Sequence, residues 1–207
     1  MTILKQLTLR ESIGTKMTGP FPATRLATFT ASEISTLLAG TSPVPEGIRF
    51  HFEKNAANST VGLIAVSLGV VAVPSAAGGT ELHNRELTSG TKKYLRRNGD
   101  RTVSEDLEAS EYQARFSTQQ NKASATNGIT NACVFFSRTD MQEILNQDGV
   151  TGIAFFPSSI VRAFTALPET YDTLLAVGIS GAGTPSGIQI RSELPCPPHC
   201  GDDYPPD

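Results

Sequence analysis

The chain has 207 residues, which is long enough for one sizeable hydrophobic core. Its 17 Lys and Arg residues nearly balance its 20 Asp and Glu residues, so a formal net charge of -3 does not favour nucleic acid or an anionic membrane surface as a partner. Three cysteines are too few for a disulfide framework in a chain of this length.

The N-terminal segment does not have the pattern of a secretory signal peptide. Residues 1–14 (MTILKQLTLRESIG) contain no continuous apolar run ahead of a small-residue cleavage site. The longest apolar run, residues 61–73 (VGLIAVSLGVVAV), is shorter than the roughly 20 residues that span a bilayer and is typical of a buried strand. We expect a cytoplasmic protein without membrane insertion, and export by a route that leaves no cleaved signal stays open.

Residues 25–68 predict a strand, a short helix and two further strands. Residues 25–29 (RLATF) favour an extended segment, and Thr30 followed by Glu33 forms a capping box for a helix with one apolar stripe. The β-rich segments 47–52 (GIRFHF) and 63–68 (LIAVSL) predict two paired strands.

The connecting segment, residues 81–129, carries the densest basic run, 92–97 (KKYLRR). Acidic residues follow closely at Glu105, Asp106 and Glu108, so we expect a solvated, self-compensating surface rather than a nucleic-acid site. Residues 104–120 combine a cap, early acids and helical spacing of apolar residues, and they predict one helix.

The second half repeats the order of the first. Residues 131–136 (NACVFF) predict a strand, and Ser137 with Asp140 caps a short helix like the one that begins at Thr30. Segments 152–157 (GIAFFP) and 174–177 (LLAV) match 47–52 and 63–66 in the same order. This order indicates a degenerate internal repeat.

The repeat predicts an α+β protein. Two strand-helix-strand-strand units would pair about a pseudo-twofold axis into one mixed or antiparallel sheet, with the helices packed on one face. The expected units are a first repeat over 1–80, a connecting segment over 81–129 with its helix near 104–120, a second repeat over 130–194, and a Pro/Cys-rich tail, 195–207. We expect them to form one compact domain.

The tail places Cys196, His199 and Cys200 within five residues, and these side chains are soft metal ligands. They predict a zinc site that needs a fourth ligand, for which the candidates are Asp202, Asp203, Cys133, His83 or a neighbouring chain. A small Cys196–Cys200 disulfide loop and a docking tail without metal are the alternatives.

Catalytic motifs are missing from the sequence. No nucleophile elbow, zinc-protease helix motif or phosphate-binding loop occurs, and we predict no catalytic residue. His51 alternates with Phe50 and Phe52 on a predicted strand, so we expect it to face solvent or a neighbouring strand rather than a substrate.

Five segments of the second half carry a resemblance: 130–138 (TNACVFFSR), 141–145 (MQEIL), 149–153 (GVTGI), 174–178 (LLAVG) and 196–200 (CPPHC). They resemble segments of small Bacteroidota-type bacterial proteins that end in a Cys-Pro-Pro-x-Cys tail. The resemblance covers residues 104–201. It implies no activity, cofactor or site residue.

The sequence therefore favours a non-enzymatic structural or interaction protein, which would self-assemble as a homo-oligomer or join a larger assembly through edge strands and the tail. A metal-binding or thiol-redox protein that uses Cys196, His199 and Cys200 is the alternative. A ligand pocket between the repeats stays open.

Overall fold

The structure is a computed structural model that describes residues 14–40, 43–55, 57, 59–74, 80–87, 93–97, 103–108, 110–112, 114, 133–162, 169–193 and 195–196. In these residues the protein is mainly β. The strands in chain order are β1 (Thr15–Met17), β2 (Ala27–Thr30), β3 (Pro45–Lys54), β4 (Thr60–Pro74), β5 (Thr80–Glu86), β6 (Tyr94–Arg97), β7 (Val103–Asp106), β8 (Cys133–Ser137), β9 (Val150–Arg162), β10 (Glu169–Ser180), β11 (Pro185–Arg191) and β12 (Pro195–Cys196). The helices are α1 (Ala31–Leu38) and α2 (Arg138–Leu145), and residues 110–112 and 114 are also helical.

The strands form two sheets. Sheet A has the order β1-β11-β10-β9-β2, and sheet B has the order β12-β8-β3-β4-β6-β7, with β5 also paired to β4. The pairs within both sheets are antiparallel.

The predicted α+β arrangement, one sheet with helices packed on a face, is therefore wrong. Each eight-residue helix is only about 12 Å long at 1.5 Å per residue, which is too short to cover a sheet of five or more strands. The central strands carry buried side chains on both faces, so a second sheet is needed to bury one of them. Residues of α1 and α2 complete the core between the two sheets.

In each half, the strand that precedes the helix pairs with a strand of the other half. β2, which precedes α1, pairs with β9 of the second half and places Thr30 opposite Gly152. β8, which precedes α2, pairs with β3 of the first half and places Ser137 opposite Gly47. Since Thr30 matches Ser137 and Gly47 matches Gly152 in the repeat, the two pairings are reciprocal, as a pseudo-twofold arrangement requires.

Close approach at the two exchanged pairings requires glycine. A Cβ atom on Gly47 would lie 2.3 Å from the carbonyl oxygen of Phe136, and one on Gly152 would lie 2.6 Å from the carbonyl oxygen of Phe29. Both distances are far below the separation of about 3.5–4.0 Å at which carbon atoms pack best. The two matched glycines thus mark the positions where the strand from the other half approaches.

Four phenylalanines from the exchanged pairs lie at the centre of the core. Phe29 of sheet A contacts Phe50 of sheet B with ring centroids 5.6 Å apart, and the equivalent pair, Phe155 and Phe136, is 5.7 Å apart. Phe50 and Phe155 complete the cluster at 4.4 Å. The first two contacts have the edge-to-face geometry that aromatic rings prefer.

Several local predictions are confirmed. α1 begins after Thr30 and α2 after Ser137, each with a complete capping box, and the apolar run 61–73 lies within β4. The helix predicted over 104–120 is wrong at its start, because residues 103–106 form β7 and pair with β6; helical backbone occurs at 110–112 and 114, and residues 115–120 lie outside the described part. No helix in the described residues is long and apolar enough to cross a membrane.

Candidate functional site

The outer face of sheet B, which points away from sheet A, carries a buried polar cluster. Along β3 the side chains of Ile48, Phe50 and Phe52 enter the core between the sheets, so the alternating residues Arg49 and His51 lie on the outer face. Arg49 is 1% exposed and His51 is also 1% exposed. Both faces of β3 are therefore buried. Of the two positions expected for His51, solvent is wrong, and the side chain instead meets Glu86 on another strand of the same sheet, β5.

Glu86 connects these two basic side chains. It ends β5, and its Oε1 atom accepts a hydrogen bond from Arg49 Nη1 at 2.7 Å and lies 2.6 Å from His51 Nε2. Tyr112 donates a hydrogen bond to the other carboxylate oxygen, Oε2, and its hydroxyl lies 3.2 Å from His51 Nε2. The Glu86 side chain is 6% exposed, so the carboxylate is enclosed by its partners.

The helical segment that contains Tyr112 closes the cluster from above the sheet. Tyr112 and Leu107 pack on Ile64, Val66 and Leu95 of the same outer face. The ammonium group of Lys93, which is buried, lies 5.5 Å from the centre of the Tyr112 ring. This distance permits a cation–π contact.

Residues of β8 line the opposite side of the cluster. The guanidinium carbon of Arg49 lies 4.9 Å from the centre of the Phe135 ring. Cys133, which is fully buried, lies opposite His51 in the register of β3 and β8. The term Glu86 cluster is used below for Arg49, His51, Glu86 and Tyr112.

The electrostatics of the Glu86 cluster follow from burial and charge pairing. Burial by itself raises the pKa of Glu86, but attraction to His51 and Arg49 and the hydrogen bonds from His51 and Tyr112 outweigh burial, so the pKa lies well below its usual range. Burial raises the pKa of Tyr112, and the charge of Glu86 raises it further. Tyr112 therefore stays a neutral donor to an ionised carboxylate.

The basic run 92–97 also differs from its prediction as a solvated surface. Lys93 and Arg96 are buried, and the guanidinium group of Arg96 forms an ion pair with Glu33 of α1 and lies 5.8 Å from the centre of the Phe29 ring. Burial lowers the pKa of both Lys93 and Arg96, and nearby acidic residues partly oppose this effect. Lys93 and Arg96 thus contact groups on the two faces of sheet B rather than solvent.

Chemically, the Glu86 cluster contains an acid, a base and a phenol within hydrogen-bond distance, which are the groups of general acid–base chemistry. Both carboxylate oxygens of Glu86, the Nε2 atom of His51 and the hydroxyl of Tyr112 are engaged with one another, and the side chains of Arg49, His51 and Glu86 are between 1% and 6% exposed. The arrangement therefore supports a structural role, in which the cluster fastens β5 and the segment around Tyr112 to β3.

Sequence reasoning did not identify Arg49, Glu86 or Tyr112. Alternation along β3 indicated only that Arg49 shares a face with His51, and no spacing rule relates either residue to Glu86, which is 35 positions from His51. The burial of this face depends on the segment around Tyr112, whose strand and helix boundaries differ from those predicted.

Of the residues predicted to bind metal, Cys196 lies in β12, opposite Cys133 in the register with β8. His199 and Cys200 lie outside the described residues, as do Asp202 and Asp203. Among the possible fourth ligands, Cys133 is buried in β8 and His83 lies in β5. The described part of the chain holds no group of three or more His, Cys, Asp or Glu side chains placed to bind a metal ion, and the zinc site of the tail stays a prediction.

No family model, curated protein or solved structure matches this chain. The resemblance to Bacteroidota-type proteins with a Cys-Pro-Pro-x-Cys tail accordingly stays a prediction.

Proposed function

We propose that this chain is a non-enzymatic structural or interaction protein, which associates with further copies of itself or with a larger assembly through sheet edges and its Pro/Cys-rich tail. The observation that carries the proposal is the position of β12. Among the described strands, β12 lies at the outer edge of sheet B, where Pro195 and Cys196 pair with Val134 and Cys133 of β8. The tail, residues 195–207, therefore begins as an edge strand.

Edge strands associate through main-chain hydrogen bonds, which any extended segment can supply. The protein already uses this mode of association internally, because β9 accepts β2 from the other half of the chain and β3 accepts β8. A short edge strand that leads into a proline-rich segment is suited to contacts of the same kind between chains.

The burial of the Glu86 cluster supports a structural rather than a catalytic role. Its polar groups bond one another beneath the segment around Tyr112, so the cluster stabilises an outer face of the sandwich. A sheet whose outer face is covered in this way can present its edge and the tail to another chain.

Sedimentation velocity over a range of protein concentrations tests the proposal. The full-length protein is compared with a variant that ends at Cys196 and thus keeps β12, and with a matched control in which residues 197–207 are replaced by Gly and Ser at the same length. We expect concentration-dependent association of the full-length protein, and loss of that association in both variants.

A full-length protein that stays monomeric at every concentration would contradict self-association. Association that persists unchanged in both variants would instead exclude the tail and assign the contact to the folded part. Elemental analysis of the same samples tests the alternative proposal, zinc bound by Cys196, His199 and Cys200, since near-stoichiometric metal that is lost in the variant ending at Cys196 would favour it.

A further inference from the structure

Cys133 and Cys196 form a cross-strand pair that the spacing of the tail cysteines does not suggest. Cys133 belongs to β8, and Cys196 is its direct partner in β12. The two residues are 63 positions apart in the chain (196 minus 133), whereas Cys200, the other cysteine of the tail, is outside the described residues.

The register fits the geometry of a disulfide bond. Residues directly opposite each other on antiparallel strands have Cα atoms about 4.5–5.5 Å apart. Disulfide-bonded cysteines have Cα atoms about 4.4–6.8 Å apart. Cys133 is fully buried, so the residue opposite it on the neighbouring strand is the group best placed to react with it.

A metal site that combines this pair with His51 is less well supported. His51 is the register partner of Cys133 on the other side of β8, but its Nε2 atom lies 2.6 Å from Glu86 and 3.2 Å from the hydroxyl of Tyr112. A metal ion at this nitrogen would have to displace both contacts. Oxidation of the two thiols does not require either contact to be broken.

We propose that Cys133 and Cys196 are a redox-active thiol pair, which a low-molecular-weight disulfide such as oxidised glutathione converts into a disulfide bond that joins β12 to β8. The inference goes beyond the proposed function, because the chemistry of the pair holds whether or not the tail contacts another chain.

The reaction proceeds by two thiol–disulfide exchanges. The thiolate of Cys196 attacks the small disulfide, forms a mixed disulfide and releases one small thiolate, which takes up a proton. The thiolate of Cys133 then attacks the sulfur of Cys196, forms the protein disulfide and releases the second small thiol. The two protein thiols lose two electrons and two protons, and one small disulfide is reduced to two thiols. Cys196 reacts first because β12 is a two-residue edge strand, and short edge segments open at low free energy.

The consequence is a covalent link between the start of the tail and sheet B. In a reducing compartment the pair stays as two thiols, and no disulfide bond joins β12 to β8. After oxidation the tail can no longer leave β8 at residue 196.

Non-reducing peptide mapping tests the pair. The wild-type protein and the variants C200S and C196S are equilibrated with oxidised and reduced glutathione, alkylated and digested with trypsin. Cys133 then lies in peptide 123–138, and Cys196 and Cys200 lie in peptide 192–207. Circular dichroism before oxidation checks that each variant is folded.

We expect peptide 123–138 to be joined to peptide 192–207 in the wild type and in C200S, with the protein monomeric on a non-reducing gel, and to be alkylated and unlinked in C196S. An equal yield of linked peptide in C196S would show that the register does not select Cys196. Alkylation of Cys133 in C200S under the same conditions, or a link found only in disulfide-bonded dimers, would also overturn the proposal.

Discussion

At the scale of single residues, the carboxylate of Glu86 compensates two buried basic side chains at once. Arg49 and His51 meet the same oxygen atom, and Tyr112 donates to the other. Removing the charge of a buried ion pair is costly because the remaining partner stays buried without compensation, and such changes destabilise proteins by about 3–5 kcal/mol.

We therefore expect Glu86→Gln to lower the free energy of unfolding by about 3–5 kcal/mol, as measured by urea denaturation. The matched control is Glu143→Gln, which removes the same charge from an ion pair with Lys16 on the surface. A surface pair contributes about 0–1 kcal/mol, so the control should change little. Equal effects of the two substitutions would show that the Glu86 cluster is not the stabilising network described.

The carboxylate of Glu86 also makes the free energy of unfolding depend on pH. The folded-state pKa of Glu86 is lowered from its ordinary value of 4.5, so its contribution to stability is present above that value and is lost as the pH falls toward the lower folded-state pKa. The reason is that the unfolded chain takes up a proton at a pH where the folded protein does not. We expect the free energy of unfolding to fall more steeply between about pH 5 and pH 3 in the wild type than in Glu86→Gln, measured by denaturation at each pH. Parallel pH profiles would assign the acid sensitivity to other carboxylates.

At the scale of single elements, each half follows its own local signals. The capping boxes at Thr30 and Ser137 start α1 and α2 where the sequence predicts them, and the hairpins β3–β4 and β9–β10 form from the predicted β-rich segments. These elements depend on neighbours in the chain, so composition and spacing are sufficient to predict them. The pairing of β2 with β9 and of β8 with β3 depends on no local signal except the two glycines.

The glycines provide a test of the exchanged pairings. We expect Gly47→Ala and Gly152→Ala each to destabilise the protein by about 1–3 kcal/mol, because the added methyl group would meet a backbone carbonyl oxygen at 2.3 Å or 2.6 Å. Gly181→Ala is the control, since its nearest contact, 3.9 Å from Thr151, is ordinary van der Waals distance. Chemical denaturation measures all three. A cost at Gly181 as large as at Gly47 would show that loss of a glycine, rather than strand approach, is responsible.

At the scale of the whole molecule, the strand exchange makes the two halves depend on each other. The core contains the four phenylalanines Phe29, Phe50, Phe136 and Phe155, two from each repeat, and each sheet contains strands from both halves. Neither half can bury its own aromatic pair or complete its own sheet alone.

Division of the chain between the repeats tests this dependence. We expect fragments 1–122 and 123–207 to lack a cooperative unfolding transition when each is studied alone, and to regain one when mixed in equal amounts, as followed by circular dichroism and intrinsic tyrosine fluorescence. Each fragment at the same total concentration is the control for self-association. Cooperative unfolding of either fragment alone would show that a single repeat is an independent domain.

The local elements of the repeat can be predicted from the amino-acid sequence: two capped helices, two apolar hairpins and the matched glycines. These follow from capping, side-chain periodicity and β-propensity, which act over a few neighbouring residues. Three features depend on contacts between distant parts of the chain: the division of the strands into two sheets, the exchange of strands between the halves, and the buried cluster of Arg49, His51, Glu86 and Tyr112. Alternating polar residues on a strand look the same in the sequence whether they meet water or a buried partner, and the choice depends on residues tens of positions away.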